Sequence, residues 1–161
     1  MNRERLKKIF GVGPLGALIS LVLLALTAGI DRYADVGDIA PRAAALRWVG
    51  GFLVILGLVL HGWSFMTLRA WWGRDQLCTK GPFRYLRHPM YAAWISLIAP
   101  GVVLIVNRWS YVIWLVVLHI LWHRLVAREE DTMGRVFGDT YRRYAGRTGR
   151  FWPRLFGRFA D

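Results

Sequence analysis

Four long stretches without a charged side chain constrain this chain more than any other feature of its sequence. Three of them reach the ~20 residues that a helix needs to cross the hydrocarbon core of a bilayer. The fourth is shorter, but apolar residues prolong it past Arg124, whose long side chain can carry its charge to the interface. We therefore expect an all-α, polytopic membrane helical bundle with spans over residues 9–30, 48–68, 88–107 and 109–127.

The composition indicates that part of this chain is surrounded by lipid. Hydrophobic residues make up 55% of its 161 residues. They come in continuous runs, unlike the spacing of a helix that is apolar on one side only. The single cysteine, Cys78, excludes an intramolecular disulfide and a zinc site built from cysteines. No repeat and no linker divides the sequence, so we expect residues 1–161 to form one membrane domain.

The positive charge is distributed as in a membrane protein. The net charge of +12 comes from three basic clusters separated by apolar runs, which argues against nucleic-acid binding because no continuous basic face results. Loops rich in Lys and Arg face the cytoplasm, which places residues 3–8 and the 69–90 loop on that side. Four spans return residues 128–161, with a predicted C-terminal helix, to the same side. We expect an integral protein of the inner or plasma membrane with both termini cytoplasmic.

The third and fourth spans are joined by little more than Asn107-Arg108, which predicts a tight helical hairpin. Pro100-Gly101 interrupts the third span and predicts a kink there. A kink releases backbone carbonyls that need partners from neighbouring helices or a cavity, so it either borders a pocket or serves packing alone. Small residues four positions apart in the first span predict close helix packing: Gly13 with Ala17, and Gly16 with Ser20.

A first polar segment, residues 79–91, precedes the third span. Gly81-Pro82 predicts a turn, and Pro89 suits the first turn of a helix, where its missing N–H costs nothing. The free amides that follow, together with Arg87 and His88, form a candidate carboxylate-binding site. On charge alone, contact with lipid phosphates is the favoured explanation of this basic loop.

A second polar segment, residues 128–144, follows the fourth span and begins with the adjacent carboxylates Glu129 and Glu130. At 100° per residue, His119, His123 and Glu130 share one helix face. Glu130 lies about 10 Å beyond His123 along the axis, too far for one metal ion to bind both, so no metal site is expected. Histidines that form hydrogen bonds within the bundle are the favoured interpretation.

The order and spacing of these two segments resemble the isoprenylcysteine carboxyl methyltransferase and phospholipid methyltransferase superfamily of integral membrane methyltransferases. The resemblance covers roughly residues 76–154. It rests on the following residues: the run from Gly81 to Tyr91, Glu129-Glu130, Phe137-Gly138 with Tyr141 and Tyr144, and then Arg150 and Pro153.

This resemblance implies a cofactor and a set of site residues. Members of the superfamily bind S-adenosylmethionine between the Arg-His-Pro loop and the Glu-Glu segment, which makes 69–90 and 128–161 the cofactor-binding segments here. A lipid-facing gap admits the hydrophobic tail of the substrate. Arg87, near the acceptor, and Glu130 are the implied catalytic residues. The implied cofactor-binding residues are Gly81, Tyr85, His88, Pro89, Tyr91, Glu129 and Glu130, with Glu129 or Glu130 meeting the amino group or the ribose.

The expected function is S-adenosylmethionine-dependent methylation of a small lipophilic acceptor, with an isoprenoid or acyl tail, at the cytoplasmic membrane face. The isoprenylcysteine-carboxyl type is the first hypothesis. A carboxylate acceptor needs no general base, whereas an amine or a thiol has to lose a proton first. The alternatives are a phospholipid or other amine N-methyltransferase, a thiol S-methyltransferase, and a non-catalytic membrane scaffold of the same fold. A scaffold has no physical need to keep Arg87-His88 together with Glu129-Glu130.

Overall fold

The computed structural model describes residues 12–71, 74 and 76–154. The basic cluster at 3–8, the start of the first predicted span at 9–11, and residues 155–161 lie outside the described residues. The described part is helical, and four of its helices are long and apolar enough to cross a membrane, which confirms the predicted all-α bundle. They are α1 (Val12–Ala34), α2 (Ala44–Trp71), α3 (Pro89–Val106) and α4 (Trp109–Phe137).

Helix α4 extends ten residues past the predicted end of the fourth span at 127, as its bounds show. Its 29 residues give a length of about 43 Å at 1.5 Å per residue. This exceeds the ~30 Å hydrocarbon core, so its last turns, which carry Glu129 and Glu130, extend beyond that core. Gly138, at φ 54°, ends α4, and the short helix α5 (Asp139–Arg147) follows directly.

The four long helices pack in two pairs, α1 on α4 and α2 on α3. A Cβ atom on Gly50 would lie 2.6 Å from the carbonyl oxygen of Gly101, so α2 and α3 cross in backbone contact. A Cβ atom on Gly16 would lie 2.7 Å from the Trp122 ring, and Trp122 Nε1 donates a 3.0 Å hydrogen bond to Ser20 Oγ. The small residues of α1 therefore pack closely, as predicted.

The irregularity expected in the third span lies one turn earlier than predicted. Residues Ala93–Ile98 of α3 are π-helical, and the helix is regular from Ala99 onward, including Pro100 and Gly101. Pro100 has no N–H to donate to the carbonyl four residues before it, so the ordinary ladder is interrupted over the preceding turn. Such π-helical turns occur frequently at functional sites.

The connection between α3 and α4 is the predicted tight hairpin. Asn107 adopts a left-handed conformation, with φ 62°, and α4 begins two residues later. The Asn107 side chain exchanges two hydrogen bonds with the backbone of Ala40, at 3.1 and 2.8 Å. The hairpin tip is therefore tied to the loop that joins α1 to α2.

Arg108 at the hairpin tip binds three carboxylates at once, in a group that we call the arginine clamp: Arg108, Asp31, Asp35 and Asp38. The nitrogen–oxygen distances are 3.1 Å to Asp31, 2.7 Å to Asp35 and 3.2 Å to Asp38. Hydrogen bonds to Asp35 and Asp31 raise the pKa of Arg108 above its ordinary value. The clamp connects the end of α1 and the following loop to the start of α4.

The buried core lies on α3 and α4, whereas the outer faces of the long helices are apolar and exposed. Leu118 and Ile95 are fully buried at its centre. By contrast, Leu18 of α1, Phe52 of α2 and Ile113 of α4 each expose 60% or more of their surface. Apolar faces of this extent on helices of spanning length are the surfaces that lipid tails solvate. The chain is an integral membrane protein.

Candidate active site

A cavity of about 590 Å³ lies where α1, α2, the start of α3 and the end of α4 converge on the polar loop before α3. Its size is in the usual range of small-molecule sites. Apolar side chains form most of its wall. Charged and hydrogen-bonding side chains are concentrated where the polar loop meets the end of α4. The cavity thus has a polar end and an apolar remainder.

The polar loop is held in place by the chain that follows α5. Backbone hydrogen bonds join Arg87 N to the carbonyl oxygen of Gly149 at 2.8 Å, and His88 N to that of Arg150 at 3.2 Å. Gly149 N donates in return to the carbonyl oxygen of Tyr85 at 3.3 Å. Tyr144 of α5 adds a 2.7 Å hydrogen bond from its hydroxyl to the carbonyl oxygen of Phe83. These bonds fix where the Arg87 and His88 side chains begin.

Glu130 binds three side chains, in a group that we call the Glu130 network: Glu130, Arg87, His88 and Arg150. Its Oε1 accepts hydrogen bonds from Arg87 Nε at 2.8 Å and from His88 Nε2 at 3.2 Å, while its Oε2 accepts one from Arg150 Nε at 3.1 Å. Arg87 Nη1 also donates to the carbonyl oxygen of Ala145 at 2.9 Å. The network joins α4, the polar loop and the chain after α5 through one carboxylate.

Glu129 lies on the cavity wall and is 7% exposed. Tyr91 Oη donates a 3.1 Å hydrogen bond to Glu129 Oε2, and His88 Nδ1 lies 3.8 Å from Glu129 Oε1. The rings of His88 and Tyr91 are stacked, with their planes 8° apart. Because consecutive helix residues point about 100° apart, Glu129 faces the cavity whereas Glu130 faces the two arginines.

His88 is buried, and its protonation follows from that burial. Burial lowers the pKa of His88, and the hydrogen bond to Glu130 opposes this shift only in part. The imidazole is therefore neutral near pH 7, with its proton on Nε2, where the Glu130 carboxylate accepts it. In the same region, burial raises the pKa of Tyr144, so its hydroxyl keeps the proton that it donates to Phe83.

Five of the eight residues expected at the site form part of the cavity wall: Arg87, His88, Pro89, Tyr91 and Glu129. Gly81, Tyr85 and Glu130 are not part of the wall. Gly81, at φ 54°, faces α2, where a Cβ atom would lie 2.9 Å from Thr67 Oγ1. Of the three, Glu130 bonds to the side chains of the polar loop, at Arg87 and His88. Direct contact of any of the eight with a cofactor or an acceptor remains a prediction.

A sequence model of one protein family matches residues 45–140, and its description is phospholipid methyltransferase. The matched range is more than half of the chain and runs from the start of α2 to the start of α5. The chain belongs to this family. The superfamily resemblance is thereby confirmed, and methyltransferase activity in general follows from it. No curated protein and no solved structure matches the chain significantly.

The family match also includes α2, which lies outside the range of the sequence resemblance. In this methyltransferase, α2 contributes His61 and Phe65 to the cavity wall, and α1 contributes Gly13 and Ala17. A Cβ atom on Gly13 would lie 3.2 Å from Tyr91 Oη. The small residues of α1 therefore shape the cavity in addition to their packing role.

Two tryptophans of the wall, Trp94 and Trp122, were missed by reasoning from the sequence. Trp94 lies three residues after Tyr91, on the same face of α3. Trp122 lies seven residues before Glu129, on the same face of α4. The rings of Tyr91 and Trp122 are 4.6 Å apart. Extending helical periodicity from Tyr91 and Glu129 would have found both.

The histidines of α4 have ordinary partners. His119 Nδ1 lies 3.1 Å from the carbonyl oxygen of Leu115, and the His123 ring packs edge-on against Phe151 at 4.8 Å. Within residues 12–71, 74 and 76–154, no three His, Cys, Asp or Glu side chains are grouped as metal ligands would be. The candidate site is built from carboxylates, cations and aromatic rings.

Proposed function

We propose that this membrane methyltransferase transfers a methyl group from S-adenosylmethionine to a lipophilic acceptor. One observation carries the proposal: a single cavity joins a charged end, with Arg87 and Glu129 on its wall, to a long apolar part between membrane helices. The charged end suits a zwitterionic cofactor, and the apolar part suits the tail of an acceptor.

The residues at the charged end fit S-adenosylmethionine. Glu129 is a buried carboxylate with further acceptor capacity beyond the hydrogen bond from Tyr91, which suits the ammonium group or the ribose hydroxyls of the cofactor. Arg87 and Arg74 on the wall suit its carboxylate. The rings of Tyr91 and Trp122 suit a sulfonium, because aromatic faces attract cations. When bound, the cofactor supplies a methyl group activated by the positive charge of its sulfur.

The protein positions the reacting groups and excludes water from them. The Glu130 network holds Arg87 and His88 in one orientation, and the tryptophan-rich wall keeps the reacting groups apart from bulk water. Holding two reactants at close distance supplies a large part of the rate in a reaction that needs little acid or base chemistry. His88 acts here as a neutral positioning group, because its Nε2–H donates a hydrogen bond to the Glu130 carboxylate.

The acceptor reaches the cavity from the lipid between α1 and α2. Ala17 and Leu21 of α1 and Phe65 and Leu68 of α2 contribute to the wall, while α1 packs mainly on α4 and α2 on α3. A tail that enters between these two helices places its head group at the charged end. We assign that end to the cytoplasmic face, because the polar loop is strongly basic and the arginine clamp, at the other end, is not.

Two acceptor types are compatible with the site, and each has its own supporting observation. Arg87 on the wall suits the carboxylate of an isoprenylcysteine-type acceptor, which needs no base. The family match favours an amine of a phospholipid head group, which has to lose a proton before it is methylated.

Calorimetric titration of the detergent-purified protein with S-adenosylhomocysteine tests the cofactor. We expect saturable binding, and its absence would overturn the proposed function. Incubation with methyl-labelled S-adenosylmethionine and extracted lipids or prenylcysteine analogues then identifies the acceptor. A base-labile labelled product indicates a methyl ester, whereas a base-stable product indicates methylation of nitrogen or sulfur. No labelled product from either group of acceptors would contradict methyl transfer.

A further inference from the structure

The hydroxyl of Tyr91 lies between two helices that are far apart in sequence. It donates a 3.1 Å hydrogen bond to Glu129 Oε2 of α4, and a Cβ atom on Gly13 of α1 would lie 3.2 Å from the same hydroxyl oxygen. All three residues form part of the cavity wall. Gly13 lies outside residues 45–140, the range that the family model matches. A helix beyond that range therefore approaches the charged end of the cavity.

The Tyr91 ring has little room to move. Its centroid is 5.6 Å from that of His88, on which it is stacked, and 4.6 Å from that of Trp122. His88 is in turn held by its hydrogen bond to Glu130. Because closely packed rings transmit a displacement, a group that pushes on the Tyr91 hydroxyl changes the geometry of its hydrogen bond to Glu129.

Helix α1 is held in place within two turns of Gly13. A Cβ atom on Gly16 would lie 2.7 Å from the Trp122 ring, so the backbone of α1 touches that ring. Trp122 Nε1 donates a 3.0 Å hydrogen bond to the buried hydroxyl of Ser20. Trp122 belongs to α4, the helix that carries Glu129. Helix α1 therefore cannot move away from the site without breaking these contacts.

The close approach of Tyr91 is the reason for a glycine at position 13. Gly13 lies inside α1 and has no positive φ, so its backbone conformation is open to any residue. A Cβ atom at 3.2 Å would be closer than ordinary van der Waals contact, and the hydroxyl would have to shift by a few tenths of an ångström. A hydrogen bond between two oxygen atoms at 3.1 Å is already long, so a further shift weakens it.

We infer that Gly13 is a positioning residue of the methyl-transfer site, which acts through Tyr91 on the orientation of Glu129. This inference rests on the proposed function, in which Glu129 meets the ammonium group or the ribose of the cofactor. A carboxylate holds a ligand best when its own position is fixed in advance. Gly13 leaves the space in which the Tyr91 hydroxyl fixes Glu129.

A double-mutant cycle between positions 13 and 91 tests the inference. The full-length protein in detergent is titrated calorimetrically with S-adenosylhomocysteine as wild type, Gly13→Ala, Tyr91→Phe and Gly13→Ala/Tyr91→Phe. We expect Gly13→Ala to weaken binding about threefold to tenfold, within the range of coupling between residues in contact. In the Tyr91→Phe background the same change should have an effect below about twofold. The hydroxyl is then absent, and ring atom Cε1 lies at an ordinary contact distance of 3.6 Å.

Gly29→Ala is the matched control. Gly29 lies in the same helix, and a Cβ atom there would meet nothing within 4 Å. Both substitutions exchange glycine for a better helix former, so their effects on helix propensity are alike. Affinity for S-adenosylhomocysteine should not change in Gly29→Ala. Equal affinities of Gly13→Ala and Gly29→Ala would overturn the inference. Equal losses on Gly13→Ala with and without the Tyr91 hydroxyl would overturn it too.

Melting temperatures separate positioning from packing. Alanine favours the helix, so Gly13→Ala should be about as stable as the wild type while it binds S-adenosylhomocysteine more weakly. A lower melting temperature with unchanged affinity would show a packing role only and would overturn the inference. Binding by the wild type without coupling in the cycle overturns the inference alone. A wild type that does not bind S-adenosylhomocysteine overturns the proposed function, and the positioning role with it.

Discussion

The Glu130 network and the arginine clamp are built from the same groups, at opposite ends of the bundle. In the network one carboxylate binds two arginines and a histidine, and in the clamp one arginine binds three carboxylates. The Glu130 side chain is 13% exposed, whereas that of Asp35 is 87% exposed. The network holds residues of a cavity wall, and the clamp connects loops. Burial and location, more than the number of ion pairs, therefore decide what such a cluster does.

The largest effect is expected when Glu130 is removed. Glu130→Ala leaves Arg87, His88 and Arg150 without their shared acceptor in a largely buried place. Breaking a buried ion pair on one side costs about 3 kcal/mol or more of stability. Both the melting temperature and the affinity for S-adenosylhomocysteine should fall, as measured by thermal unfolding and calorimetry. Asp139→Ala, which removes an exposed carboxylate paired with Arg142, is the control and should change neither. A Glu130→Ala protein as stable as the control would refute the positioning role.

Substitution of Glu129 should weaken cofactor binding and have little effect on the stability of the protein. Glu129→Gln keeps an oxygen that can accept the hydrogen bond from Tyr91, but it removes the negative charge at the cavity wall. A hydrogen bond to a charged group is worth about 1.5 to 3 kcal/mol, so we expect S-adenosylhomocysteine to bind roughly tenfold to hundredfold more weakly. Calorimetry on both glutamate variants measures the contrast. If Glu130→Gln alone weakens binding, the cofactor contact belongs to Glu130.

The buried histidine of the network predicts a pH dependence of stability. Burial lowers the pKa of His88 in the folded protein below the ordinary value of 6.5. Below about pH 6.5 the unfolded chain binds a proton that the folded protein does not, so stability falls with decreasing pH until the folded-state pKa is reached. Thermal unfolding between pH 8 and pH 5 should show a steeper loss for the wild type than for His88→Gln. Parallel curves for the two proteins would contradict a neutral, buried His88.

The smallest effect on the site is expected from a substitution in the arginine clamp. Arg108→Gln removes the ion pairs to Asp31, Asp35 and Asp38, and a modest decrease in melting temperature is expected because two of these carboxylates are mostly exposed. The clamp is at the other end of the bundle, so affinity for S-adenosylhomocysteine should stay within about twofold of the wild type. A larger loss of affinity would show that the clamp and the cavity are coupled.

The end of α4 shows where reasoning from the sequence lost accuracy. The run of charges after Ala127 was interpreted as the end of a span, but the helix continues to Phe137. Helix formation depends on backbone propensity, and the charged residues there are good helix formers. The helix passes Gly134 and ends at Gly138, which has a positive φ. Hydropathy therefore predicted a spanning helix here, with an end ten residues before that of α4.

The pair Glu129-Glu130 shows a second property that could not be predicted from the sequence. The spacing of the motifs identified both residues, but their separate positions depend on how α4 is rotated about its axis. That rotation is set by contacts with α1, such as the hydrogen bond from Trp122 to Ser20, 102 positions earlier in the chain. No local pattern contains this information.

The sequence alone was enough to predict a helical protein, four helices long and apolar enough to cross a membrane, and polar segments that resemble those of a methyltransferase superfamily. These properties follow from runs of uncharged residues and from motif spacing, which act locally along the chain. Three features depend on tertiary packing: Glu129 faces the cavity, Glu130 binds Arg87 and Arg150, and His61 and Trp94 lie on one cavity wall. The physical reason is that rotation and contact of helices are fixed by packing between residues far apart in sequence.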